Sequence, residues 1–143
     1  MRIHFWNTVL SLFYGFLLIS GVYWLAVSGR LHADIPTVAL ILMTFAIFRL
    51  VRLFCYDIIT KFIRDWFTDA KKNTFRHTLG ELLNCPWCTG LWFSFIVVFF
   101  YFATPYAWPL IVIFALASAA SFLQVVANLV GWHAEGKKRE VQG

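Results

Sequence analysis

The sequence predicts an all-α membrane protein: four transmembrane helices, both termini in the cytoplasm, and an amphipathic interfacial helix after the second span. Three observations carry this. Hydrophobic residues make up 61% of the chain and charged residues 13%, where soluble domains carry about a quarter charged. Four apolar runs are each long enough to cross a bilayer, which takes about 20 residues. Eleven of the twelve Lys and Arg residues then fall on one side, and the positive-inside rule makes that side cytoplasmic. A water-soluble chain of 143 residues has no interior large enough for sixteen Phe and seven Trp. One membrane domain over 1–143 is expected. Anionic lipid accounts for the net charge of +5, so the expected partners are membrane lipids, mainly anionic, with a membrane-protein partner or a second copy. Nucleic acid is not expected.

The first span covers about 4–28, where only His4 can ionise. Its apolar core exceeds the roughly 7–15 residues of a signal peptide, and a retained helix is expected. Trp6 and Tyr23-Trp24 sit near its ends, where amphipathic rings favour the interface. A short polar link holds Arg30, alone on the outer side, and Asp34 or Pro36 starts the next helix.

The second span covers about 35–56. It carries Arg49 and Arg52 near its cytoplasmic end, three apart on one face. Facing hydrocarbon they would cost several kcal/mol. Snorkelling, pairing with an acid or binding lipid phosphate removes that cost. Residues 57–67 continue as a helix turning amphipathic, with Ile58, Ile59, Phe62, Ile63, Trp66 and Phe67 as the apolar stripe. Asp57 and Lys61 have the spacing of an ion pair. Residues 68–77 have no apolar period and read as a loop. Interfacial helix and loop together fill 57–85.

The third span covers about 86–104. Pro86 suits its first turn, which makes Asn84 or Cys85 the N-cap. A tight uncharged turn follows at 105–109. The fourth span, about 109–130, has a ridge of small residues from Ala115 to Ser121 that lets helix backbones touch. Gln124 and Asn128 lie four apart in it and are expected to hydrogen-bond between helices. Residues 131–143 form a solvated basic tail containing Lys137-Lys138-Arg139.

The motif that organises the chain is Cys85-Pro86-Trp87-Cys88, at the point where charged sequence stops and a membrane helix begins. A thiol at a helix start meets unpaired N–H groups and the positive end of the dipole, which favour thiolate. Three readings stay open. The cysteines pack as small apolar groups beside a rigid turn anchored by Trp87. Alternatively Cys85 and Cys88 form a redox dithiol, the candidate reacting groups. In the third, Cys55, Cys85, Cys88 and His77 complete a tetrahedral zinc site. A lone pair of cysteines lacks the second half of a zinc ribbon, so no metal or other cofactor is expected. No Ser-His-Asp set, phosphate loop or paired carboxylate site appears.

The blocks Arg49-Leu50-Val51-Arg52, Asp57-Ile58-Ile59-Thr60, Arg64 and Gly80-Glu81-Leu82-Leu83-Asn84-Cys85-Pro86-Trp87-Cys88-Thr89-Gly90-Leu91-Trp92 resemble, in order and spacing, the bacterial domain of unknown function family 1360. That family consists of small multi-pass membrane proteins and includes a sporulation membrane protein. The resemblance covers roughly 44–131. It implies the bacterial cytoplasmic (inner) membrane and supplies no reaction. This chain departs from it at Lys61-Phe62, where the family often has Glu-Pro. The resulting expectation is a non-enzymatic scaffold or accessory subunit, contacting lipid or a partner through Arg49, Arg52, Asp57, Arg64, Glu81 and Trp87. The alternatives are a thiol redox or metal-binding protein at Cys85 and Cys88, and a binder of anionic lipid headgroups.

Overall fold

A computed structural model describes residues 2–142 except 33, 72 and 73, with no description of the side chains at 2–4, 136 and 138–142. The readings at His4, Lys138 and Arg139, and Arg2 and Lys72 among the eleven basic residues assigned to one side, therefore lie outside the described residues or side chains. Among the described residues every regular element is helical: α1 (Arg2–Val27), α2 (Thr37–Cys55), a 3-10 turn (Ile58–Thr60), α3 (Lys61–Thr68), α4 (Phe75–Asn84), α5 (Pro86–Ala103) and α6 (Ala107–Gln142).

Four of these helices are long and apolar enough to cross a membrane: Phe5–Val27, Thr37–Cys55, Pro86–Ala103 and Ala107–Glu135. Their outer faces are bare. Leu12, Phe16, Ile19 and Leu123 are each about two-thirds exposed or more, a surface that water would not tolerate and lipid would.

Helix ends follow local chemistry. Gly29 takes φ 65 and closes α1. The Arg30 N–H reaches Leu25 O at 3.1 Å and the Gly29 N–H reaches Ala26 O at 3.2 Å, the paired bonds of a Schellman ending. Pro36 stands at the N-cap of α2. Pro109 falls in the first turns of α6, where its missing N–H breaks no intrahelical bond.

α2 packs along α6 and α5, and α1 lies against α5 and α4. Small and medium side chains make the close contacts. Ala39, Met43 and Ala46 are buried on one face of α2, and Ala107, Ile111, Ala115 and Ser118 on one face of α6. These are i, i+4 and i, i+3 steps, the spacing of a single helix face. The expected small-residue ridge thus meets α2 through Ala115 and Ser118. Gly21 lets α1 approach α5: a Cβ there would lie 2.9 Å from the Phe95 ring.

Several local expectations need correction. The span-two helix does not run on through 57–67, because Asp57 is extended (φ −71, ψ 147) and breaks it. The loop at 68–77 is shorter than expected, since α4 begins at Phe75. Gln124 and Asn128 do not bridge helices; Gln124 Nε2 donates to Asn128 Oδ1 at 3.1 Å along one helix face. They are four apart on one helix face, and no neighbouring helix among the described residues covers 122–132. α6 continues past the span end expected near 130 and runs to Gln142.

Candidate functional site

The α4–α5 junction is built by the residue order Asn84-Cys85-Pro86. A residue before proline is pushed out of the helical region. Cys85 accordingly sits at φ −103, ψ 101, ending α4 and capping α5, with Pro86 in the first turn. The Leu82 carbonyl accepts twice, from the Cys85 N–H at 3.1 Å and from Thr89 Oγ1 at 2.7 Å. Thr89 is buried, so this tie holds the end of one helix to the first turn of the next away from competing water.

Cys85 and Cys88 are both free thiols, and their Sγ atoms lie 2.9 Å apart. The Cys88 N–H also points at Cys85 Sγ, at 3.5 Å. The Cys88 side chain, then the Cys88 and Trp87 backbone N–H groups, hold the Cys85 thiol below the usual thiol range. Hydrogen bonds to the charged form do this whenever they outweigh desolvation. Cys85 is thus the N-cap of α5, and its surroundings favour the charged form of its thiol.

Both thiols open into a cleft of about 480 Å³ between α1, α4 and α5. Asn7, Ser11, Tyr14, Thr78 and Glu81 give it polar walls. Tyr14 Oη donates to Leu91 O at 3.3 Å and its ring stands edge-on to Trp92 at 5.0 Å, which fixes α1 beside the motif. Cys88 is exposed and Cys85 half-buried. Neither thiol is fully buried. The zinc set does not assemble: among the described residues no three His, Cys, Asp or Glu side chains come close enough to hold a metal. Cys55 lies against Thr89, and His77 Nδ1 stands 3.8 Å from Glu81 Oε1.

The arginines divide by role. Arg49 Nη2 pairs with Asp57 Oδ2 at 3.3 Å, so Asp57 turns to Arg49 rather than to Lys61. Arg64 Nη1 donates to Phe54 O at 2.9 Å, to Asp57 O at 3.1 Å and to Thr60 Oγ1 at 3.4 Å. It satisfies carbonyls left open where α2 ends. Arg76 donates to Trp66 O and lies 4.2 Å over the Trp66 ring, clipping α4 to α3. Arg30 is at the far end of the bundle, bonded to Ala103 O at the end of α5. Arg52 is exposed. Trp87 is 87% exposed and is not among the residues that line the cleft.

A family model described as a protein of unknown function, DUF1360, matches residues 69–127. The UPF0713 protein YngL of Bacillus subtilis (strain 168) is 33% identical over 101 residues, covering 62% of this chain and 78% of that protein. The sporulation protein YjcA of the same strain is 29% identical over 107 residues, covering 62% of this chain and 90% of its own length. The chain belongs to the DUF1360 family. No solved structure matches it.

The DUF1360 match takes in α4, the Cys85–Cys88 junction and Glu81, and begins after Arg49, Arg52, Asp57 and Arg64. The chain is thus a multi-pass membrane protein of a family without an assigned activity. Four polar cleft residues, Asn7, Ser11, Tyr14 and Thr78, escaped the reading of the sequence. Asn7, Ser11 and Tyr14 follow i, i+4, i+7 along α1, a polar stripe on one face of an otherwise apolar span. That spacing was there to be read, but nothing in the order of residues says that it meets the motif some 70 positions later.

Proposed function

We propose that this DUF1360 protein is a multi-pass protein of the bacterial cytoplasmic membrane, with both termini inside, whose Cys85–Cys88 pair performs thiol–disulfide exchange at the inner face. The observation that supports it is the placement of two free thiols 2.9 Å apart at a helix start and lining a cleft between α1, α4 and α5. The exchange partner is a disulfide of a protein or small thiol. The Cys85 thiolate attacks one sulfur of that disulfide, forming a mixed disulfide and releasing the other sulfur as a thiolate. Cys88 then loses its proton to that leaving thiolate and attacks Cys85 Sγ. The partner's second sulfur departs as a thiolate and takes a proton from water. Two electrons pass to the partner, and a Cys85–Cys88 disulfide remains.

Orientation rests on charge. Arg30 stands at one end of the bundle against Ala103, while Arg49, Arg64 and Arg76 gather at the other, where α2, α3 and α4 meet. The positive-inside rule puts the second group in the cytoplasm. The same face carries α3, whose Phe62 and Trp66, with the preceding Ile58 and Ile59, are exposed. In this orientation those side chains enter the headgroup boundary and α3 lies along the surface.

The test is to equilibrate the protein in proteoliposomes with defined glutathione buffers and count alkylatable thiols by mass. One cooperative loss of two thiols on oxidation is expected, and in Cys88→Ser a trapped glutathione on Cys85. If both thiols stay separately alkylatable under oxidising buffer, the reading fails. A periplasm-dependent reporter fused after Gly143 is expected to be inactive; activity would reverse the orientation.

The scaffold reading keeps one supporting observation, the large exposed ring of Trp87 beside the motif. It separates from exchange under Cys85→Ser plus Cys88→Ser. A scaffold loses abundance or fold, or loses nothing. An exchange centre keeps its fold and loses the reduction of an added disulfide that the wild type carries out.

A further inference from the structure

Arg49, Arg64 and Arg76 each have an acceptor inside the protein. Among the described residues Arg52 has none, although it lies one turn from Arg49 on the same helix. It lines an apolar groove of about 420 Å³ between the second half of α2 and the first turn of α5, with Tyr56 lining it one turn further along the chain. Ile47, Phe48 and Val51 of α2 and Trp87 of α5 wall the groove, and Thr44 lies two turns back from Arg52. An unpaired guanidinium lining an apolar groove is matched to a ligand with an anionic head and a hydrocarbon tail. The bare ring of Trp87 marks the same depth as Arg52, as an interfacial aromatic does.

We infer that this groove holds one anionic phospholipid, its phosphate on Arg52 and an acyl chain along Ile47, Phe48 and Val51. Guanidinium suits phosphate because its planar donors meet two oxygens at once. This occupant needs nothing from the thiols, which face the cleft on the α1 side of α5. The inference therefore stands or falls apart from thiol exchange. It also narrows the role expected of the basic residues: Arg49 and Arg64 belong to the fold, and Arg52 to the lipid.

Native mass spectrometry of the full chain, delipidated and then exposed to phosphatidylglycerol or to phosphatidylcholine, tests it. The wild type is expected to retain one phosphatidylglycerol in preference to phosphatidylcholine. Arg52→Ala is expected to lower that occupancy about fivefold, the factor typical of one basic residue at an anionic surface. Arg52→Lys should recover part of it. Thr44→Phe, which fills the groove and leaves the charge, should lower occupancy as well, while the exposed cation removed in Lys61→Ala should not matter. Thr44 is exposed and bonds only to Leu40 O of its own helix, so its replacement leaves the helix contacts in place. Equal retention of the two lipids, no loss in Arg52→Ala, equal loss in Arg52→Ala and Lys61→Ala, or no loss in Thr44→Phe would each overturn the assignment.

Discussion

Arg49 and Asp57 form a half-buried ion pair, Nη2 to Oδ2 3.3 Å, across the point where the chain leaves α2. The pair spans the break that Asp57 itself makes, so it fixes the direction in which the following turn departs. Asp57→Ala leaves the Arg49 charge without its acceptor in a partly buried place. A loss of about 1–3 kcal/mol is expected, below the range for a fully buried pair because both side chains keep some solvent. Lys61→Ala should change stability by less than about 0.5 kcal/mol, as for an ordinary surface site. Thermal unfolding in micelles followed by circular dichroism measures both. Arg49→Ala plus Asp57→Ala should cost less than the two single changes added together.

Arg64 acts through its three acceptors at the α2–α3 corner. Removing them in Arg64→Ala is expected to cost about 1.5–3 kcal/mol, the range for hydrogen bonds from a charged donor. Arg64→Lys should recover part of this, since an ammonium keeps a charged donor but does not end where the Nη1 that makes all three bonds lies. Hydrogen exchange should show the loss first in the Phe54 to Thr60 segment. Equal stability of Arg64→Ala and wild type would refute this role.

Gly80 and Gly21 provide a matched contrast. A Cβ on Gly80 would meet backbone atoms of Phe67 at 3.1 Å and Thr68 N at 3.2 Å, whereas one on Gly21 meets the tip of the Phe95 ring. Backbone cannot swing aside and a ring can. Gly80→Ala is therefore expected to cost about 1–3 kcal/mol through forced separation of α3 from α4, and Gly21→Ala less. The two melting midpoints decide it.

Cys85 should titrate below an ordinary thiol because the Cys88 side chain and backbone N–H stabilise its thiolate. A lowered value means that the proton leaves at lower pH. Alkylation of Cys85, measured in a Cys55→Ser background, should thus reach half its plateau rate below the usual thiol midpoint of about 8.5. In Cys88→Ala the side-chain donor is gone and the midpoint should move up toward that value. An unchanged pH profile would show that Cys88 does not set the reactivity of Cys85.

The spans were legible because length and hydropathy alone determine which segments can cross a bilayer. Pro36 and Pro86 marked two helix starts for an equally local reason. The segment between the second and third spans was harder. Phe75 to Asn84 carries Arg76, His77 and Glu81 within a short helix, and its weak apolar period hides among them. What makes it a helix is its packing on α3 through Gly80 and Arg76, contacts that no local window contains. The motif itself was plain, and its N-cap geometry followed from proline. The cleft was not, because its second wall is α1.

α6 is one unbroken helix of 36 residues, about 54 Å at the usual rise, against a hydrocarbon layer of about 30 Å. Its first half is gripped by α2 and its second half by nothing among the described residues. Such an element behaves as a cantilever. About 5° of rocking at the clamped midpoint moves the free tip, about 27 Å away, by about 2 Å, so any change of tilt within the bilayer reaches Gln142 as travel.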